Sequence, residues 1–155
     1  MKTQRILVLL TGFAAAALAH AGEPMKLPPM KAQPTAKKVL DEHMDALNHC
    51  DWNRLVAQYP KDAEIHLPDG VVIKGREKVG ELFTGLCKDR PDGLRGIKFT
   101  PESSFQVGNT FNVMWRAEAP FLAEPYRGSD AYVTRNGMMA AMVTTFDGSK
   151  LKFKP

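Results

Sequence analysis

The sequence lacks the patterns that usually announce a reaction: it contains no HExxH, G-x-S-x-G, P-loop, G-x-G-x-x-G or CxxC. Zincin, serine-hydrolase, nucleotide-binding and thioredoxin-like chemistry lose support with them. Histidines number only 4, and His43, His49 and His66 sit at no metal-ligand spacing, so no metal or other cofactor is expected. Aromatic residues make up 8% and no residue type dominates the 155 positions, which excludes collagen-like, prion-like and disordered chains. The longest apolar run, residues 6–19, is interrupted by Thr11 and Gly12 and falls short of the roughly 20 residues needed to cross a bilayer. With 44% hydrophobic and 25% charged residues, what remains is enough chain for one globular domain with a real core.

The apolar run has a different reading. Lys2 and Arg5 precede it and Ala19-His20-Ala21 follows it, the charged start, apolar middle and small-x-small cut of a secretory signal peptide over residues 1–21. Gly22 after the cut, in place of cysteine, argues against a lipid anchor. The expected location is periplasmic or secreted, with no stable membrane insertion once the leader is removed. The formal charge of +4 loses Lys2 and Arg5 with the leader and falls to about +2, too little for a nucleic-acid footprint. Export also exposes the two cysteines, Cys50 and Cys87, to an oxidising compartment. They are either a disulfide pair or two buried thiols, since each closes an apolar-periodic helical segment.

Residues 22–36 hold Pro24, Pro28, Pro29 and Pro34 and read as a flexible arm ahead of a single domain at residues 37–155. Val39, Leu40, His43, Met44 and Leu47 then recur at helical spacing, predicting a helix over residues 36–49 with His43 on its inward stripe. Asp51 is placed to cap a short second helix that Pro60 ends. Strands follow at residues 63–67 and 71–74 around the Pro68-Asp69-Gly70 turn. A third helix after Gly75 puts Val79, Leu82, Phe83, Leu86 and Cys87 on one face. Beyond it the chain turns β-branched and aromatic, with strands predicted at residues 96–107, 110–119, 128–134 and 139–146, the last two joined by Asn136-Gly137. Helices first and a meandering sheet afterwards make an α+β fold. The tail through Leu151 and Phe153 is left open as a further strand.

Several short words stand in a telling order: Ala46-Leu47-Asn48-His49-Cys50-Asp51-Trp52, Tyr59-Pro60-Lys61-Asp62-Ala63-Glu64-Ile65, Pro68-Asp69-Gly70, Lys74-Gly75-Arg76-Glu77-Lys78-Val79 and Gly128-Ser129-Asp130-Ala131-Tyr132-Val133. In this order the chain resembles the NTF2-like superfamily, in its SnoaL-like and ketosteroid-isomerase-like branch, over roughly residues 37–146. The resemblance implies a cone in which three N-terminal helices pack in a curved mixed or antiparallel sheet, with a pocket between the first helix and the concave face. It also implies a homodimer through the outer sheet face, where Val133, Ala141 and Val143 would lie.

In ketosteroid isomerases a carboxylate before the proline of the x-Pro-x-Gly turn moves the proton, and a helix-one Tyr with a protonated Asp holds the oxyanion. By the resemblance Asp130 takes the Asp position, His43 stands at the Tyr position, and the base position is Leu67, which cannot abstract a proton. Asp130 and His43 are therefore the candidate catalytic residues. Phe111, Val113, Trp115, Tyr126, Tyr132, Met142 and Phe146 are expected to line an apolar pocket for a hydrophobic small molecule. His66 alternates outward. Three functions remain open: an isomerase, cyclase or hydrolase using the Asp130 and His43 pair, a non-catalytic carrier or sensor, and a protein-interaction module.

Overall fold

The structure is a computed structural model that describes residues 26–155, so the expected signal peptide lies outside the described residues. Thr35 caps helix α1, Ala36–Asn48, by accepting from the Lys38 amide at 3.2 Å, and the stripe Val39, Leu40, His43 and Met44 is buried. After Cys50, which takes a positive φ of 51°, Asp51 accepts from the Arg54 amide at 3.1 Å and starts α2, Trp52–Ala57. Gly75, at φ 85°, opens α3, Arg76–Leu86. A disulfide joins Cys50 to Cys87, with Cα atoms 5.5 Å apart, and ties the α1–α2 corner to the end of α3.

The strands are β1, Glu64–His66; β2, Val72–Lys74; β3, Lys98–Val107; β4, Thr110–Glu118; β5, Tyr126–Arg135; and β6, Met138–Thr144. They form one open six-stranded sheet in the order β2-β1-β6-β5-β4-β3, in which β1 runs parallel to β6 and the other pairs are antiparallel. The sheet is therefore mixed. Asn136 and Gly137, at φ 53° and 72°, make the two-residue β5–β6 loop with both central residues left-handed, the twist that a tight hairpin prefers. On β4 the alternation is clean: Phe111, Val113, Trp115 and Ala117 are buried on the inner face, and Asn112 and Met114 face out.

One expectation changes, and the open question of the tail is answered. The proline-rich stretch carries no helix or strand in its described part, but it is no loose arm: Pro28 accepts from the Arg76 guanidinium, the Lys31 amide bonds the Ala57 carbonyl at 2.8 Å, and the Gln33 amide bonds that of Gly137 at 2.8 Å. Proline denies the stretch a regular ladder, and the amides that remain find single acceptors on α2 and the β5–β6 loop. The tail forms no full strand either. It folds as a 3-10 turn, Gly148–Lys150, and pairs with the β4–β5 connection in a single bridge, Leu122 to Phe153.

Candidate functional site

The site lies where α1 crosses the inner faces of β4, β5 and β6. Register sets its members: Val113 on β4 faces Asp130 on β5, which faces Thr144 on β6, and Tyr132 faces Phe111 on one side and Met142 on the other. Residues two apart on a strand share a face, so Asp130 and Tyr132 point together at α1. There His43, 1% exposed, meets Tyr132 at 5.3 Å between ring centroids, Phe83 of α3 at 5.8 Å and Tyr59 at 6.1 Å.

A hydrogen-bonded network runs through this cluster. The Tyr59 hydroxyl lies 3.4 Å from His43 Nδ1, and the Tyr132 hydroxyl donates to Asp130 Oδ2 at 3.0 Å. The Thr145 amide donates to Asp130 Oδ1 at 3.2 Å. Burial sets the protonation states. It lowers the His43 pKa from 6.5 to about 4, so the imidazole is neutral at pH 7. It pushes the Tyr59 and Tyr132 phenols above their usual range, with the Asp130 carboxyl adding to both. Tyr59 therefore keeps its proton, and the neutral imidazole faces its hydroxyl through Nδ1.

Asp130 is pulled in two directions. Its burial raises its pKa, while the Thr144 hydroxyl, the Trp115 indole N–H, the Tyr132 hydroxyl and the Thr145 amide all favour the charged form. The Trp115 Nε1 is buried and closes no hydrogen bond of good geometry, so its pull on the carboxylate is electrostatic. Both Asp130 oxygens already accept from inside the protein. That arrangement suits a carboxylate more than the protonated donor of an oxyanion hole.

The second half of the site is an aromatic cluster at the β4–β5 end. Trp115 packs on Phe99 at 5.3 Å, Tyr126 at 5.8 Å and Phe146 at 6.1 Å. Gly128 faces Trp115 in the register, and a Cβ there would sit 2.6 Å from the indole and 2.7 Å from Thr145 Oγ1. Glycine is what lets the indole lie flat across β5.

The open pocket implied by the resemblance is occupied by the protein's own side chains. Phe111, Val113, Trp115, Tyr132 and Met142 are each at most 7% exposed and belong to one core cluster with Val39, Met44, Tyr59 and Phe83. Close packing of large side chains here satisfies the core at the expense of the space. Two surface grooves, of about 350 and 210 Å³, lie elsewhere, at the start of α3 and between α1 and α2. Tyr126 and Phe146 are half-buried at the rim, and Phe146 sits just past the end of β6 at Thr144. The Tyr126 hydroxyl bonds Thr145 O and the Asp147 amide, both at 3.3 Å, instead of Asp130. His66 turns outward to Glu64 at 3.1 Å, and Leu67 is half-buried beside it.

The family profile of the SnoaL-like domain matches residues 40–147. The chain belongs to the SnoaL-like family. Solved structures agree at the level of the fold. An NTF2-like protein of unknown function from Cytophaga hutchinsonii is 18% identical, with 77% of this chain and 96% of that one covered and a TM-score of 0.60. A proposed ketosteroid isomerase from Kribbella flavida is 16% identical, covering 77% and 81%, with a TM-score of 0.60. A proposed SnoaL-like polyketide cyclase from Shewanella putrefaciens is 12% identical, covering 76% and 82%, with a TM-score of 0.61. No curated protein matches the sequence.

Within this SnoaL-like frame the sequence places Asp130, His43 and Tyr132 together and misses Tyr59, Phe83 and Thr145. Tyr59 and Phe83 carry the apolar periodicity of ordinary core positions, which gives no sign that they converge on one histidine. Thr145 acts through its backbone amide, which no side-chain pattern reports.

Proposed function

We propose that this SnoaL-like protein is exported and holds a hydrophobic small molecule, oriented by one hydroxyl donating to Asp130, between α1 and the inner face of the sheet. The observation that carries the reading is Asp130 itself: a carboxyl 8% exposed, set in a wall of aromatic and aliphatic side chains, with its pKa raised by burial. A group so placed is costly to the fold unless it serves something else. Carboxylate oxygens accept more than one hydrogen bond each, so Asp130 can take a ligand hydroxyl beside its two internal donors. Neutral His43, reached through Tyr132, supplies the second polar group. Leu67 in place of a base weighs against proton abstraction and in favour of binding. Chemistry of the isomerase, cyclase or hydrolase kind would have to run through Asp130 and His43 without a cofactor.

The test is native mass spectrometry of the mature protein from its own compartment, followed by thermal-shift screening of steroids, polyketide-like ketones, epoxides and fatty acids. A ligand at a hundredfold excess over its Kd stabilises the fold by about 2.7 kcal/mol. That stabilisation is expected to disappear in Asp130→Asn. A protein that is empty and indifferent to the whole set overturns the reading.

A second reading rests on the outer face. Phe105, Val107, Met114 and Val143 are 64%, 79%, 49% and 48% exposed, and the register sets them around Ala131, Val133 and Ala141 on the same side of the sheet. Such an exposed apolar surface, interleaved with Asn112, Thr110 and Ser129, suits a homodimer formed face to face. Sedimentation showing a strict monomer at micromolar concentration removes it.

A further inference from the structure

The site around Asp130 is closed, and the tail borders its aromatic end, where the Asp147 amide donates to the Tyr126 hydroxyl at 3.3 Å. From Phe146 the chain leaves the sheet, makes its 3-10 turn and crosses the β4–β5 connection. Leu151 sinks to 7% exposure in the cluster that holds Trp115, Phe99 and Leu122. The fastenings of this strap are few. The Ala123 amide bonds Lys152 O at 2.8 Å, the Lys154 amide bonds Phe121 O at 3.0 Å, and Lys152 pairs with Glu124 at 2.8 Å on the surface. The remaining hold is a side-chain latch: the Arg90 guanidinium lies 3.8 Å above the Phe153 ring and 5.6 Å from that of Phe121. Arg90 comes from the loop after α3, so three separate segments meet in one contact.

We propose that residues 147–155 are a gate to the Asp130 site, latched by Arg90 on Phe153 and Phe121. The inference rests on reading that site as a ligand site, and it assigns the entry route. Tyr126 and Phe146 are the half-buried rings between solvent and Trp115, and the strap is rooted on both, through the Asp147 amide on the Tyr126 hydroxyl and through Phe146 itself. The neighbouring β5–β6 pair is held by a strand ladder along its length, with one register shift at Val133, whereas the strap's two backbone bonds to the β4–β5 connection are the two that make its single bridge. Segments with few backbone bonds open first, well below the free energy of global unfolding. Displacing the strap uncovers the edge of Trp115 beside the carboxyl, and a ligand that fits must be flat and apolar enough to slide between aromatic rings.

The experiment uses Trp115 as its own reporter. In a Trp52→Phe background, acrylamide quenching of the remaining indole is compared for the parent, Arg90→Gln, Phe153→Ala and the remote surface variant Arg135→Gln. Arg90 and Arg135 are exposed and Phe153 is 38% exposed, and far-UV dichroism with the thermal midpoint confirms that each variant is folded. Loss of an exposed cation–π contact is expected to raise the quenching constant about 2- to 5-fold in both latch variants and not in Arg135→Gln. The neutral probe N-phenyl-1-naphthylamine should associate faster by a similar factor in the same two variants. Quenching unchanged in both latch variants overturns the gate, whatever the probe does. Quenching raised with no probe binding to any variant upholds the gate and overturns the ligand reading on which it rests.

Discussion

His43 makes the fold acid-sensitive, and the size of the effect follows from its burial. The imidazole titrates near 6.5 in an unfolded chain and near 4 in the folded one, because the core cannot solvate its charge. Between those values the unfolded state binds the extra proton, so stability rises with pH across the window and is lost as pH falls through it. At 1.36 kcal/mol per unit the whole window is worth about 3 kcal/mol, and about 2.5 kcal/mol of that disappears between pH 7 and pH 4.5. With a urea m-value near 2 kcal/mol/M, the midpoint should move down by about 1.2 M from this group alone. Other groups titrate in the same range. Asp130, whose pKa is raised in the fold, contributes stability at low pH that fades as pH rises through its folded value, while Glu42, Asp62 and Glu64, lowered by their cationic partners, lose theirs in acid. These contributions cancel in a comparison with His43→Leu, which removes the imidazole and also costs a pH-independent amount of about 1 kcal/mol for the stranded Tyr59 hydroxyl. The assay is urea unfolding by far-UV dichroism of both proteins at pH 7 and pH 4.5, disulfide intact. His43→Leu should lose about 2.5 kcal/mol less than the parent over that interval. Equal losses would mean that the imidazole is charged or solvated in the fold, and the reasoning would fail.

Two further outcomes follow from single contacts. Gly128→Ala puts a methyl group 2.6 Å from the Trp115 indole, so it should destabilise by about 1–3 kcal/mol and shift the tryptophan emission, both read in one thermal melt followed by fluorescence. Replacing both Cys50 and Cys87 with Ala removes a link across 37 positions and should cost about 4 kcal/mol through the freed unfolded chain, measured as a drop in the denaturation midpoint without loss of the folded dichroism spectrum. A double variant as stable as the parent would show that the α1–α2 corner is held to α3 by packing alone.

What the sequence disclosed follows the reach of its signals. Period and punctuation are local, so the helix stripe through Val39, His43 and Met44, the Asp51 cap and the Asn136-Gly137 hairpin appear in the structure where the pattern puts them. Strand ends moved by a few residues, since β5 begins at Tyr126, before the Gly128 that read as a boundary. The inward direction of Asp130 was expected from the family resemblance, and the period of two carried it to Tyr132, whereas its hydrogen-bond partners were not legible. The choice of Tyr132 and the Thr145 amide over Tyr126 depends on which atoms β6 brings alongside β5 beyond Thr144. Filling was the least legible property of all. Phe111, Val113, Trp115, Tyr132 and Met142 have the same periodicity whether they line a cavity or pack one, because orientation is set by the pleat and volume is set by what stands opposite. Here His43, Met44, Tyr59 and Phe83 stand opposite, brought together from α1, the end of α2 and α3. The same composition that seals the core also explains why a ligand site would need a moving part. A wall of large side chains at near-zero exposure admits nothing without displacement, and among the segments around the aromatic rim the tail is held by two backbone bonds and a cation over two rings. Binding at Asp130 would therefore depend on opening of the strap, and Trp115, packed on Phe146 at the root of the strap and beside the Asp130 carboxyl, is the residue whose environment reports that opening.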